Sequence, residues 1–261
     1  MGRMQLVELE DLPWWPEAVR NGATDWLAVA GNQTALPYVG FVKMLAEGLR
    51  STGDSRLVDL CSRGGGPLPT LQKMLREHEG LEVTATLTDL YPNADRLRAL
   101  ASESDGAISL SGQPVDATDV PASLVGFRTL TNAFHHFSPD AARGILADAV
   151  AKRQGIAIME VVERTPVAVL GTMMGAVLGG IASPFLKPFR PSRLLLSWVV
   201  PLIPFTILFD GIVSCLRVYS VDELRALVRE VPGSDGYRWD IKRIPTGPMA
   251  TTVLVGVPKT A

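Results

Sequence analysis

From Arg56 onward, short apolar runs of strand length alternate with stretches whose apolar residues recur every three or four positions. Residues 56–61 read as a buried strand, and Leu68, Leu71, Met74 and Leu75 form the stripe of a helix over 68–78. A second strand over 81–88 alternates Val83, Ala85 and Leu87 and ends on Asp89. Tyr91-Pro92-Asn93 makes a turn, a short helix covers 94–101, and a weaker strand lies near 107–110. A fourth strand, roughly 124–131, ends at Asn132. Ser138-Pro139-Asp140 then has a capping hydroxyl, proline at the first helical position and an acid in the first turn, so a helix starts there and runs to about Lys152. Residues 155–162 form a fifth strand. Strands and helices alternating at this pace predict an α/β fold: a parallel Rossmann-like sheet with helices on both faces.

The last third of the chain changes character. Val167–Leu186 and Leu194–Phe209 contain no charged residue. The first run carries Gly171, Gly175 and Gly179 at four-residue spacing, a pattern that favours close helix packing, and the second is broken by Pro201 and Pro204. Ser220 and Glu223 have the form of a capping box ahead of a helix over 221–230. The runs 237–244 and 250–257 flank Pro245-Thr246-Gly247-Pro248, a connection too short for a parallel crossover. The sheet should therefore hold seven strands and end in an antiparallel hairpin. Residues 1–50 are helical in pattern and rich in aromatics, Trp14, Trp15, Trp26, Tyr38 and Phe41 among them. The expected organisation is an N-terminal helical cover over 1–50 and a main domain over 51–261, with a hydrophobic helical insert at 164–219.

Composition narrows the function classes. The chain has 261 residues, 47% of them hydrophobic, and a formal net charge of -2 with no basic block, which argues against a nucleic-acid partner. Cys61 and Cys215 are the only cysteines, and no metal-ligand spacing is present. A reducing, cytosolic setting is expected. No signal-peptide pattern follows Met1, where Glu8, Glu10 and Asp11 interrupt any apolar run.

The first strand ends on Asp59 and enters the turn Leu60-Cys61-Ser62-Arg63-Gly64-Gly65-Gly66-Pro67, with a helix starting near Leu68. Consecutive glycines allow a sharp turn and close approach of a ligand. The helix start behind them presents unpaired N–H groups and a positive dipole end. Ligands of open α/β sheets sit at such turns, outside the carboxyl ends of the strands.

This order of parts resembles the class I S-adenosylmethionine-dependent methyltransferases from about Arg56 to Val257, and most closely small-molecule enzymes of the quinone-biosynthesis type. The resemblance implies that Asp59 and the turn, with Cys61, Gly64, Gly65 and Gly66, hold the methionine part of S-adenosylmethionine. It implies that Asp89, with Leu90 beside it, grips the ribose hydroxyls, for which a carboxylate is a natural bidentate acceptor. Asp116 and Ala117 would meet the adenine, and Asn132 to His136 would face the transferred methyl group. The family's turn reads acid-x-Gly-x-Gly-x-Gly. Here Cys61 and Arg63 stand at the first two glycine positions and only Gly65 is in register.

His135 and His136 are two of three histidines in the chain and the candidates for a catalytic base; the third, His78, reads as a surface residue. Packing between Phe134 and Phe137 is the alternative role for the pair. The insert has three readings: a buried subdomain walling the active site, an interfacial patch docking on a membrane, or a spanning hairpin. The last would put Lys187, Arg190 and Arg193 on the far side, against the positive-inside tendency. An insert in this position implies a small apolar acceptor, with Asp210, Arg217 and Tyr219 as possible polar contacts or structural partners. Oligomeric state stays open. The rival activities are a NAD(P)-dependent dehydrogenase, which lacks its Gly-x-Gly-x-x-Gly fingerprint here, and a non-methylating or membrane-docking member of the fold.

Overall fold

The structure is a computed structural model that describes residues 2–32, 35–92, 94–187 and 189–259. Helices α1 (Glu17–Asn32) and α2 (Val39–Thr52) come first. The alternating core follows: β1 (Arg56–Asp59), α3 (Leu68–Glu79), β2 (Thr84–Leu87), α4 (Ala94–Ser102), β3 (Ile108–Leu110), β4 (Phe127–Thr131), α5 (Pro139–Ala151) and β5 (Ile156–Glu160). Then come α6 (Pro166–Ala182), α7 (Pro191–Leu194), α8 (Leu202–Arg217), α9 (Val221–Arg229), β6 (Tyr237–Thr246) and β7 (Met249–Pro258). Asn93, expected in a turn, lies outside the described residues.

Two compact units emerge. One comprises residues 1–34, 162–218 and 247–249; the other comprises 35–161, 219–246 and 250–261. The larger unit is built on a seven-stranded sheet of order β3-β2-β1-β4-β5-β7-β6. Strands β1 to β5 are parallel, with Leu57 opposite both Ala85 and Phe127, and β7 runs antiparallel to β5 with Ile158 opposite Leu254. This is the α/β fold with a terminal hairpin that the hydrophobic pattern predicts.

The period-2 alternation of each strand explains why both faces are covered. Val58, Leu130, Ile156, Ile158 and Leu254 point to one face and pack under α5 and α9 through Ile145, Leu146, Ala149, Leu224 and Leu227. Their neighbours Leu57, Phe127, Ala157, Met159, Val253 and Val255 point to the other, under Phe41, Leu45 and Leu49 of α2 and Leu71 and Leu75 of α3. A sheet buried on both sides needs apolar residues at consecutive positions, and β5 is buried throughout. Both sequence-level helix starts form: Ser138 Oγ accepts the Ala141 N–H, and Ser220 with Glu223 closes a reciprocal capping box. Strands are shorter than their apolar runs. β1 stops at Asp59 because Cys61 already has φ +59°, and β4 starts late because a Leu124 N–H to Pro121 carbonyl turn precedes it.

In the smaller unit, α1 packs on α6 and α8 through a cluster of Val19, Ala23, Ala176, Ile203 and Ile207, flanked by Trp15 and Trp26. Of the three spaced glycines, only Gly179 makes a close helix contact: a Cβ there would lie 2.8 Å from both Ile207 and Trp26. Gly175 faces nothing within 4 Å, so the four-residue spacing is not a packing seam along its length. The segment before α1 is fastened to α8 by polar groups. Asp210 accepts the Leu9 and Glu10 N–H groups at 2.6 and 3.0 Å, and Arg217 reaches Asp11 at 3.0 Å and Glu8 at 3.5 Å. Asp210 and Arg217 thus have structural partners, as does Tyr219 in the larger unit, whose hydroxyl donates to the Phe137 carbonyl at 2.8 Å.

Candidate active site

The carboxyl ends of the five parallel strands lie along one edge of the sheet, and the order of strands reverses between β1 and β4. Such a switch point opens a crevice between the two diverging connections. The turn after β1, Asp89 after β2, Asp116 after β3, Asn132 to His136 after β4 and Glu160 at the end of β5 all belong to this edge.

Asp59 is buried, and its two carboxylate oxygens accept hydroxyls from Ser62 at 2.6 Å and Thr129 at 2.7 Å. Its carbonyl accepts the Ser62 and Thr88 hydroxyls. The residue therefore ties the turn after β1 to both neighbouring strands. Burial pushes its carboxyl from an ordinary 3.8 up to about 6, against the lowering effect of the two hydroxyls and with a further rise from Asp89. A carboxyl whose folded value is raised favours folding when protonated. Its contribution is thus fully present below about pH 4 and is lost as pH climbs through about 6. Asp59→Asn removes that loss. The stability of the variant relative to the unmodified protein should rise from pH 4 to pH 8 by up to about 3 kcal/mol, read as urea-denaturation midpoints. A difference that stays flat with pH would rule this out.

The turn itself keeps glycine-type backbone at non-glycine residues. Cys61 and Arg63 have φ of +59° and +34°, and Gly65 and Gly66 follow at +86° and +45°. Left-handed backbone at an ordinary residue costs about 1–2 kcal/mol, so this conformation is imposed by its surroundings. Asp89 supplies part of the imposition: its Oδ2 accepts the Arg63 N–H at 2.8 Å while its Oδ1 accepts the Tyr91 N–H at 2.7 Å. At Gly65 the left-handed φ favours glycine, and a Cβ there would also push the Leu100 side chain aside.

Cys61 reports how the acids converge. Burial first, then the charges of Asp89, Asp59 and Asp116, push its thiol well above the ordinary range. Asp59 and Asp89 touch the turn directly, through the Ser62 hydroxyl and the Arg63 N–H. Asp116 is exposed, holding the Thr118 N–H and hydroxyl at 2.8 and 2.7 Å, and the Val115 N–H donates to the Asp89 carbonyl at 3.0 Å. Ala117 beside it is buried, and Leu90 is exposed.

After β4, Asn132 takes a left-handed φ of +54°, which asparagine tolerates better than most residues. It bridges β4 to β5: its N–H donates to the Met159 carbonyl at 2.8 Å and its Oδ1 accepts the Val161 N–H at 2.9 Å. His135 is buried. Its Nδ1 lies 2.7 Å from Glu160 Oε2, and its backbone N–H donates to Glu160 Oε1 at 3.0 Å. With Glu160 ionised, Nδ1 carries the proton and Nε2 is the basic nitrogen. The His136 ring lies against it, centroids 4.4 Å apart, and Phe134 packs on Tyr219. Glu160 escaped the sequence reading. Its signal was an acid inside an otherwise apolar strand run, between Met159 and Val161. A cleft of about 510 Å³ lined by Val228, Pro232, Tyr237, Trp239 and Lys259 contains none of these groups.

No protein-family model matches the chain, and no curated protein matches it. Solved structures do. The plantazolicin methyltransferase BpumL in complex with SAH superposes with a TM-score of 0.55 at 8% identity, over 93% of this chain and 96% of that one. An O-methyltransferase family protein from Burkholderia thailandensis gives 0.52 at 15% identity over 93% of this chain, which spans only 63% of that protein's length. A putative zinc-dependent alcohol dehydrogenase from Rhodobacter sphaeroides gives 0.50 at 14% identity, covering 92% and 98%. The chain has the methyltransferase-type Rossmann-like fold.

Proposed function

We propose that this protein transfers a methyl group from S-adenosylmethionine to a small, largely apolar acceptor in a reducing, cytosolic compartment. The observation that carries the reading is the turn after β1, which has left-handed backbone at Cys61, Arg63, Gly65 and Gly66 and is held by Asp59 through the Ser62 hydroxyl and by Asp89 through the Arg63 N–H. That conformation supports the reading despite the departure from the family's glycine pattern, because Cys61 and Arg63 adopt the left-handed backbone that glycine takes most readily.

The groups present fit the cofactor. Asp89 uses one lone pair on each oxygen for a backbone N–H, and a carboxylate has about four such sites, so both oxygens can accept from a ribose diol. Asp116 and Ala117 pair an exposed acid with an apolar neighbour at the end of the same edge, as an amino-bearing base requires. Asp59 holds the turn in shape through Ser62 and Thr129. S-adenosylmethionine, when bound, supplies an electrophilic methyl group on a sulfonium.

What remains for the protein is to align the acceptor, exclude water and remove a proton. His135 is the candidate for the last role, because the Glu160 contact at Nδ1 favours the tautomer in which Nε2 is the basic nitrogen. Glu160 acts through His135 and is a positioning residue. The apolar character of 164–219 and the resemblance to quinone-biosynthesis enzymes support an aromatic or lipid-like acceptor.

Calorimetry on the purified chain tests the cofactor assignment. S-adenosylhomocysteine should bind, and Asp89→Ala should weaken it at least about tenfold, the loss expected for a charge-assisted pair. The likeness to a protein described as an alcohol dehydrogenase makes NAD the informative competitor. A thermal shift with NAD but none with S-adenosylhomocysteine would replace this reading with the dehydrogenase.

A further inference from the structure

The smaller unit presents an apolar surface that its own fold does not use. The α6 residues buried against its neighbours are Ala168, Ala176 and Gly179. On the opposite side Leu170, Met174, Val177 and Ile181, spaced to fall on one helical face, are each more than half exposed. The stripe continues past the helix end. Phe185 contacts the ring of Trp198 at 5.5 Å, and the Trp198 indole N–H donates to the Gly180 carbonyl at 3.0 Å. These contacts join α6 to the elbow between α7 and α8, where Trp198 and Val199 are 54% and 69% exposed. A monomer in water rarely leaves so many large apolar side chains in one patch.

Charge identifies the occupant. No acidic residue occurs between Arg164 and Asp210, although the whole chain carries a net charge of -2. Lys187 and Arg190 are exposed in the segment linking α6 to α7, interleaved with Phe185 and Phe189, which are 69% and 65% exposed. Aromatic and basic residues alternating at the rim of an apolar face are the composition of an interfacial anchor. A two-fold contact between copies would bring like cations towards each other with no acid in the patch to receive them. Anionic headgroups neutralise them.

Geometry excludes a spanning arrangement. The run Pro166–Phe185, with mean hydropathy 1.6 and 22% of its window buried, is long enough to cross a bilayer by itself. The return path is bent by 71° between Pro191–Val199 and Leu202–Arg217. More decisively, α1 lies along the same helices and brings Glu17, Arg20 and Asp25 with it, Asp25 standing 3.6 Å from Arg193. Asp210 and Arg217 of α8 hold the N-terminal segment. Crossing the bilayer would immerse all of these groups.

We propose that the smaller unit is a monotopic membrane anchor. The Leu170–Ile181 face of α6 and the Trp198–Val199 elbow enter one leaflet, with Lys187 and Arg190 on anionic phospholipid headgroups. The anchor does not depend on methyl transfer, and its test leaves that activity aside.

Full-length protein is sedimented with vesicles of phosphatidylcholine alone and with one-third phosphatidylglycerol. Binding should be stronger to the anionic vesicles and fall with added salt. At about 1 kcal/mol per cation near a charged surface, Lys187→Glu with Arg190→Glu should weaken anionic-vesicle binding at least about tenfold. Val177→Asp with Ile181→Asp should abolish binding to both. Should either pair perturb folding, quenching of the unmodified protein's fluorescence by brominated lipid, compared with Trp198→Phe, reads the elbow directly. Absence of vesicle binding would overturn the proposal, as would binding indifferent to all these changes. So would a concentration-dependent dimer without lipid that Val177→Asp with Ile181→Asp dissociates, since a second copy would then cover the face.

Discussion

His135→Ala is expected to lower the methyl-transfer rate by about a hundredfold to ten-thousandfold, the usual worth of a positioned acid–base group. Affinity for S-adenosylhomocysteine should stay within about twofold, because the carboxylates assigned to the cofactor lie at the end of β1 and in the connections after β2 and β3. The two readouts separate a proton-transfer role from a structural one. His135 is buried and bonded twice to Glu160, so a purely structural histidine would take stability and cofactor affinity down together. Alanine leaves a space the size of the lost ring. Added imidazole should therefore restore part of the rate if a base is what is missing. A fall of less than about threefold would remove His135 from the mechanism. Glu160→Gln should lower the rate by a smaller factor, because glutamine keeps a contact but not the charge that fixes the tautomer.

The second large effect concerns stability. Asp148→Asn should cost about 3–5 kcal/mol, the penalty for stranding one partner of a buried pair. Arg128 is 1% exposed on β4 and its Nη1 lies 2.6 Å from Asp148 Oδ2. Burial lowers its pKa, with Asp148 as the chief opposing influence. Asp148 also accepts Lys152 Nζ and the Val120 N–H, so it is the hub of the group. Removing the arginine is the milder change, since Lys152 still faces the acid. Adding Arg128→Met to Asp148→Asn should recover at least half of the loss. Urea midpoints of the two single variants and the double variant would show the coupling, and simple additivity would refute it.

How much of this was legible beforehand follows from which interactions are local. Caps at Ser138 and Ser220 depend on residues three apart, and both are present. Strand-end acids at positions 59 and 89 mark the site's edge because an apolar run must stop where the chain turns. The Glu160–His135 pairing joins positions 25 apart in the chain, and only strand order puts β5 beside β4. The left-handed backbone at Cys61 and Arg63 is opposed by residue type; tertiary partners such as Asp89 override the local preference. The glycine spacing in α6 illustrates the reverse error, since Gly175 meets no neighbour within 4 Å.

The crowding of carboxylates round Cys61 has a chemical consequence. Thiolate, not thiol, is what alkylating agents and peroxide attack, and Asp89, Asp59 and Asp116 together with burial keep this sulfur protonated. Cys215, the second cysteine, is held the same way by burial. Raised thiol pKa values make both sulfurs less reactive than an ordinary exposed thiol, so a cysteine introduced on the surface should be labelled in preference to them. Cys61 itself becomes a native infrared reporter. Its S–H stretch absorbs where no protein group other than the Cys215 thiol does, and in a Cys215→Ala background any ligand that rearranges the three acids shifts it without a label.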